Sequence, residues 1–376
     1  MRNKLTSWEW KALTSDCNLA DGHAHQEQNA KQLSIINELP AFYLNSEKES
    51  QDKLQERFAK NFFTLAGQLS YKKFPDPLYH YACSIAIETV ANYLRLTNKS
   101  VAMIHPTFDN LADILKRHKV PLLPIEEEEI KSICKGTYDS SKVDALFLVC
   151  PNNPTGLELT QKEFMQIVNY CKNNNKLLIL DLSFRFYSNY VKWDQYEILY
   201  KSGVDFVCLE DTGKTWPTLD MKLGIIVSSN SIYESLKDIT NDFILNVSPF
   251  IFQLINKYLE VEKNERVSVI EIIMKNRKIL KEAIINSPLK IVNQNSILSV
   301  EWIQLPPGWK ATNFCKWLEK NKIFVLPGLP FYWNDNSRGE SYIRIALARP
   351  EGFFKLAIEK LSTLATEYKK NCDDNN

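Results

Sequence analysis

Between about residues 75 and 230 the chain repeats one unit: a short unbroken run of apolar residues, then a longer amphipathic segment. The apolar runs are SVAMIHP, DALFLVCP, LLILDLS, VDFVCLED and LGIIVSS. A strand with one wet face alternates apolar and polar residues, so runs this continuous demand cover on both faces. The segments between them, DNLADILKRH, TQKEFMQIVNYCKNNN and WDQYEILYKSG, bring apolar residues round at helical intervals. Strand and helix alternating in this way predict an α/β fold, a mostly parallel sheet flanked by helices. Chemistry on such sheets collects outside the carboxyl ends of the strands. Here those ends carry HPTFDN, PNNPTG, DLSF and EDTGK.

The pattern changes after residue 265. A long helical stretch, VSVIEIIMKNRKILKEAIINS, precedes strand-like ILSVEWIQL, helical NFCKWLEKN, a further strand IFVLPG, then SYIRIALARP and a terminal helix. A chain of 376 residues is long for one core, and two lobes fit it better. The expected division is an N-terminal helix and loop over 1–40, a large domain over 41–265 and a smaller α+β domain over 266–376. The polar tail 373–376 is expected to fray.

Charge and cysteine usage narrow the function classes. A formal net charge of +1 gives no bulk electrostatic case for nucleic acid or membrane as partner. The acidic run Glu126–Glu129 reads as a solvated segment. The 8 cysteines are scattered without a C-x-x-C pair, which fits reduced thiols rather than a disulfide framework or metal site. The N-terminal MRNKLTSWEW lacks the apolar core of a signal peptide. No apolar stretch approaches the ~20 residues that cross a bilayer. A soluble, cytoplasmic protein is expected.

Taken singly, the strand-end motifs are ambiguous. PNNPTG is good turn chemistry, and a lone Lys214 is an ordinary surface residue. Their order is more specific: Phe108 after one strand, Asn153 after the next, Asp181 ending a third, Lys214 after a fourth and Arg344 far downstream. This series resembles the fold-type I pyridoxal-phosphate (PLP) enzymes of the aspartate aminotransferase superfamily, from about residue 40 onward. The resemblance implies that Lys214 bonds the PLP aldehyde, a task that needs a primary amine. It implies that Asp181 keeps the ring nitrogen protonated, which a nearby carboxylate favours. Phe108 would stack on the ring, Asn153 would donate to the phenolic oxygen, and Arg344 would grip a substrate carboxylate, for which a planar fork is suited. Ser84, in YACSIAIE, falls where a helix should start beside the phosphate.

The chain departs from that pattern at three places. The tyrosine expected three residues after the pyridinium aspartate is Phe184, with Ser183 as a partial replacement for its hydroxyl. The usual S-x-S-K is Asp211-Thr212-Gly213-Lys214. The phosphate-binding arginine is Lys222, which keeps the charge and loses the fork. An acid at Asp211 cannot face a phosphate, so it should point at a cation: Lys222 or another lysine on the plainer view, a cationic substrate on the sharper one.

LTSWEW, NLADGHA, HPTFDN, PNNPTG, DLSFR and EDTGKTWPTLDMK together are similar to one subgroup, the PLP- and dioxygen-dependent L-arginine oxidases, hydroxylases and desaturases of antibiotic pathways. That resemblance implies an N-terminal helix closing over the active site and a catalytic role for His23 in the DGHA loop. It also implies substrate contacts from Thr6, Glu9 and Asp21. Asp211, together with Asp21 or Glu9, is then expected to pair with the guanidinium while Arg344 holds the carboxylate. The expected reaction consumes dioxygen and releases hydrogen peroxide and ammonia, with a dehydro-imino, oxo or 4-hydroxy-2-oxoarginine product. A homodimer is expected on the same ground. An aminotransferase for a basic amino acid is the alternative; a non-catalytic PLP-linked regulator is the third class, and the chain has no room for the helix-turn-helix domain that such regulators add.

Overall fold

The computed structural model describes residues 4–188, 192–262 and 267–373. The division expected at residues 265 and 266, and residues 374–376 of the tail expected to fray, lie outside the described residues.

Among the described residues, eleven strands form two sheets. The larger contains β1 (Leu78–His80), β2 (Val101–His105), β3 (Leu122–Glu126), β4 (Ala145–Val149), β5 (Leu177–Asp181), β6 (Phe206–Asp211) and β7 (Gly224–Ser228). Their order is β1-β7-β6-β5-β4-β2-β3. The pairs among β2 to β6 are parallel, whereas β7 runs antiparallel to both β6 and β1. The mostly parallel sheet thus stands, with one correction: LGIIVSS returns antiparallel, because the link 212–223 holds no helix that could carry the chain back for a parallel strand. Every residue of β2, β4, β5, β6 and β7 is buried, as their unbroken apolar runs require. Edge strand β3, with its Pro124 and half-exposed residues, gives no such run.

The helices between strands start and stop on local signals. Thr160 caps the helix Gln161–Asn173, accepting from the Glu163 amide while the Glu163 carboxylate takes the Thr160 amide. The helix Gln195–Ser202 ends at Gly203 in the left-handed region, φ 64°.

The second sheet is antiparallel, ordered β10-β11-β9-β8, with β8 (Lys290–Ile291), β9 (Val300–Gln304), β10 (Leu326–Pro327) and β11 (Tyr342–Ala346). IFVLPG contributes only a two-residue strand, since proline closes the ladder. The helices Val269–Ile284, Ala311–Lys320 and Glu351–Asp373 accompany it. Among the described residues no helix is long and apolar enough to cross a membrane.

The N-terminal segment is stitched to both sheets. After the helix Leu5–Leu13, the Leu19 amide donates to Phe324 O at 2.9 Å and Leu19 O accepts from Ala346 N at 2.8 Å. His25 N donates to Ala348 O at 3.1 Å, and Ala24 N to Gly213 O at 3.3 Å, beside Lys214. The segment thereby lies across the carboxyl ends of the large sheet.

Candidate active site

A cavity of about 230 Å³ opens at those ends. Lys214, Asp181, Ser183 and Asp211 reach it from β5, β6 and the turns that follow; Phe108 and Asn153 reach it from the turns after β2 and β4. Cys83 and Ser84 enter from the start of the helix Cys83–Leu96, Lys222 from the link before β7, and Thr6, Glu9 and His23 from the N-terminal segment. Of the residues singled out from the sequence, only Asp21 and Arg344 are absent from the cavity wall.

The turn carrying Lys214 is built by its neighbours. Asp211 Oδ1 accepts from the Gly213 amide at 2.5 Å, Thr212 Oγ1 from the Leu223 amide at 2.8 Å, and Lys214 O from Tyr187 Oη at 2.5 Å. The Lys214 amine stands 6.0 Å from the Phe184 ring centre. Gly224 is required here: a Cβ would meet the backbone of Ala82 and Cys83 at 2.4 to 2.5 Å, so glycine lets the helix start lie against β7. That helix has no side-chain cap of its own, leaving its first amides and positive dipole end for an anion.

Asp181 is 6 % exposed, and burial raises its carboxyl to about 6 against two opposing hydrogen bonds from Ser183. Both bonds, from the Ser183 amide at 2.9 Å and hydroxyl at 2.5 Å, fall on Oδ1. The carboxylate also borders the cavity. A protonated ring nitrogen suits such a group, and the amine, the acid and the helix start together fit PLP. Ser183 serves the Asp181 carboxylate here; its hydroxyl is also 3.4 Å from the Cys83 sulfur.

Glu127 corrects the expectation of a fully solvated acidic run. Its Oε1 accepts from Asn152 Nδ2 at 2.8 Å and from the Thr155 hydroxyl, because the end of β3 lies beside the PNNPTG turn. Burial raises its pKa, against those same bonds. Asn152 further donates to Pro106 O and accepts from Thr107, which ties together the two turns that carry Asn153 and Phe108.

Arg344 lies behind the wall, 1 % exposed. It donates to Ala20 O, reaches Asn153 Oδ1 at 3.4 Å and Glu9 Oε1 at 3.5 Å, and its Nε has no partner among the described residues. Burial lowers its pKa, with Glu9 and Asp21 opposing. Asp21 is also withdrawn: Oδ1 meets His23 Nδ1 at 2.6 Å and Oδ2 meets His25 Nε2 at 2.5 Å. Burial would raise its carboxyl, but the two imidazoles outweigh it and hold the group well below the usual carboxylate range. His23 Nε2 is 2.9 Å from Lys222 Nζ, which also pairs with Asp220 at 3.0 Å. An ion pair between Asp211 and Lys222 does not form.

Two contributors were missed from the sequence. Arg349, buried, donates from Nε to Asn18 O at 2.7 Å, from Nη2 to Asp21 O at 2.6 Å and from Nη1 to His23 O at 3.3 Å. It therefore clamps the loop that carries His23. The second arginine of RIALAR was the available signal. His25, two residues from His23 in DGHAH, is the other.

Residues 41–361 match the family described as aminotransferase class I and II. A structure of MppP soaked with the product 2-ketoarginine is 31% identical, with a TM-score of 0.86, covering 93% of this chain and 99% of that one. The α-aminoadipate aminotransferase LysN of Thermus thermophilus, complexed with N-(5′-phosphopyridoxyl)-L-leucine, shares the fold at 12% identity and a TM-score of 0.77, over 97% of this chain and 95% of its own. LL-diaminopimelate aminotransferase of Natranaerobius thermophilus is 24% identical over 243 residues, 62% of this chain and 59% of that protein, so the match spans about six tenths of that relative. This chain belongs to the class I and II aminotransferases, the PLP-dependent enzymes of fold type I.

Proposed function

We propose that this enzyme oxidises L-arginine with dioxygen, as a cytoplasmic homodimer serving specialised, antibiotic-forming metabolism. The observation that carries the proposal is the 31% identity and near full-length overlap with MppP, whose product is 2-ketoarginine. The charge layout agrees with it. The Arg344 guanidinium lies behind one wall of a cavity whose other charged groups include the carboxylates of Glu9 and Asp211.

The substrate carboxylate would take Arg344 over from Glu9, whose contact at 3.5 Å is long for a charge-assisted bond. Glu9 and Asp211 then face the distal guanidinium, and the aliphatic span between the two charged clamps selects arginine by length. Bound PLP supplies an electron sink for negative charge developing at the substrate Cα. Lys214 is the attachment point for the cofactor and the base for the Cα proton. Asp181 holds the proton on the ring nitrogen, Phe108 supports the ring face, and Asn153 donates to the phenolic oxygen. Ser84, with the helix start, and Lys222 receive the phosphate. His23, its Nδ1 held by Asp21, moves the later protons, and Thr6 borders the substrate from the N-terminal helix.

Arginine, one dioxygen and one water balance to 2-oxoarginine, ammonia and one hydrogen peroxide. A second dioxygen and a second water add the γ-hydroxyl of 4-hydroxy-2-oxoarginine and a second peroxide. Where the second dioxygen acts without the second water, it takes two hydrogens from 2-oxoarginine, giving the dehydro product and the second peroxide. Oxygen-electrode and peroxide assays with L-arginine test the proposal: stoichiometric uptake is expected, and its absence overturns it. The LL-diaminopimelate aminotransferase relatives favour a second reading, amino transfer from a basic amino acid. That reading predicts turnover that depends on a 2-oxo acid and proceeds without oxygen.

A further inference from the structure

The helix Leu5–Leu13 begins without a cap of its own, since Lys4 at the cap position makes no side-chain hydrogen bond to it. Its first amide, that of Leu5, donates instead to Asp109 Oδ2 at 2.9 Å, across the fold. Asp109 opens the helix Asp109–Arg117 directly after Phe108. It is buried, and its Oδ1 has no partner among the described residues. One turn on, Asp113 Oδ2 holds Lys4 Nζ at 2.6 Å.

Leu5, Trp8 and Ala12 bury one face of the N-terminal helix, but apolar packing is non-directional and tolerates sliding along the axis. A hydrogen bond to a terminal amide fixes that coordinate, and a carboxylate suits both the orphan donor and the positive helix end. Thr6 and Glu9 follow within the next turn and a half and border the cavity. Phe108, which also borders the cavity, is the residue before Asp109. The helix and the ring-facing wall are therefore aligned against one backbone.

We propose that Asp109 is a positioning residue: it caps the N-terminal helix in trans and so sets where Glu9 meets the substrate. The proposal rests on the oxidase reading for the Glu9 contact with substrate and for L-arginine as the substrate measured. Lys4, Glu9, Asp113 and Arg344 are the charged groups that act on Asp109. Burial pushes its carboxyl up to about 7; the Leu5 amide and Lys4 oppose the rise, while Asp113 and Glu9 add to it. A folded-state pKa above the free value means that folding takes up a proton, so the stability that Asp109 contributes is present in acid and is lost as pH rises through about 7.

The test compares PLP-loaded wild type, Asp109→Ala and Asp109→Asn. Hydrogen exchange of the Leu5–Leu13 amides, corrected for intrinsic rates, is measured without substrate. KM and kcat for L-arginine are measured alongside. Loss of the cap should raise exchange and KM about three- to tenfold in the alanine variant, with kcat within about twofold. Asparagine keeps an acceptor oxygen and should restore both values, with the pH dependence of exchange removed. Unchanged exchange in the alanine variant, or asparagine failing as badly as alanine, overturns the proposal. Were the alanine protein not to fold, asparagine retaining the wild-type pH dependence would overturn it. An enzyme that ignores arginine defeats the oxidase reading alone, because the exchange measurement needs no substrate.

Discussion

Glu210 and Asp211 are adjacent on β6 and point to opposite faces of it, and they live differently. Glu210 is fully buried and saturated: Arg185 Nε reaches its oxygens at 2.9 and 2.8 Å, Arg185 Nη2 donates to Oε1, and Tyr196 Oη adds a bond at 2.9 Å. Burial would lower the Arg185 pKa, but Glu210 outweighs it and the guanidinium is held above its ordinary value. Asp211 has no side-chain cation partner among the described residues; it accepts from the Gly213 amide of its own turn. The same contrast separates Arg185 from Arg344, whose contacts with side chains lengthen to 3.4 and 3.5 Å and whose pKa burial lowers. Networks that only hold the fold close on themselves, whereas those facing the cavity keep bonding capacity in reserve.

The largest effect that could break this contrast is on the closed side. Glu210→Gln leaves a buried guanidinium without its anion and should cost about 3–5 kcal/mol of unfolding free energy, read as a lower urea midpoint. A loss below about 1 kcal/mol, the scale of an exposed pair, would mean that the network is not saturated. On the open side, Asp211→Asn keeps an acceptor for the Gly213 amide, so stability should stay within about 0.5 kcal/mol. kcat/KM for L-arginine should fall about a hundredfold, the loss expected for one charged contact. Unchanged preference for arginine over neutral amino acids would remove Asp211 from the substrate site.

Asp181 offers a smaller handle. In the cofactor-free protein its raised pKa contributes stability below the free carboxylate value of about 4, which is lost as pH rises through about 6. Pairing with a protonated ring relieves that loss. The melting gap between PLP-loaded and cofactor-free protein should therefore widen from pH 5 to 7, by on the order of 2 kcal/mol in free energy. A constant gap would place the ring nitrogen elsewhere. The smallest effect concerns the N-terminal helix, where Lys11 meets Glu319 at 3.2 Å on the surface. Lys11→Ala should change amide exchange of that helix by less than about twofold. A larger change would shift its anchoring from Asp109 to the surface.

The elements visible in the sequence were those carried by local pattern. β2, β4, β5, β6 and β7 each announce themselves as apolar runs, and the turns that border the cavity follow the first four directly. β1, β8 and β10 have two or three residues each, too few to show any period. The direction of β7 depended on what its link lacked, not on its own residues. At the site, residue type and order were legible, but depth was not. Arg344 and Asp21 have the expected chemistry yet stand behind Asn153, Glu9, His23 and His25, because contacts made across the fold set which group faces the cavity. Glu127 and Asp109 escaped notice for the same reason, since each looks like an ordinary acidic surface residue until the partner turn or helix is in place.

Arg349 grips the DGHA loop by main-chain carbonyls alone. A clamp of that kind acts on the chain's path and not on the identity of the two imidazoles. Removing the guanidinium would leave three carbonyl oxygens of the loop without their donor, whichever rings the loop carried.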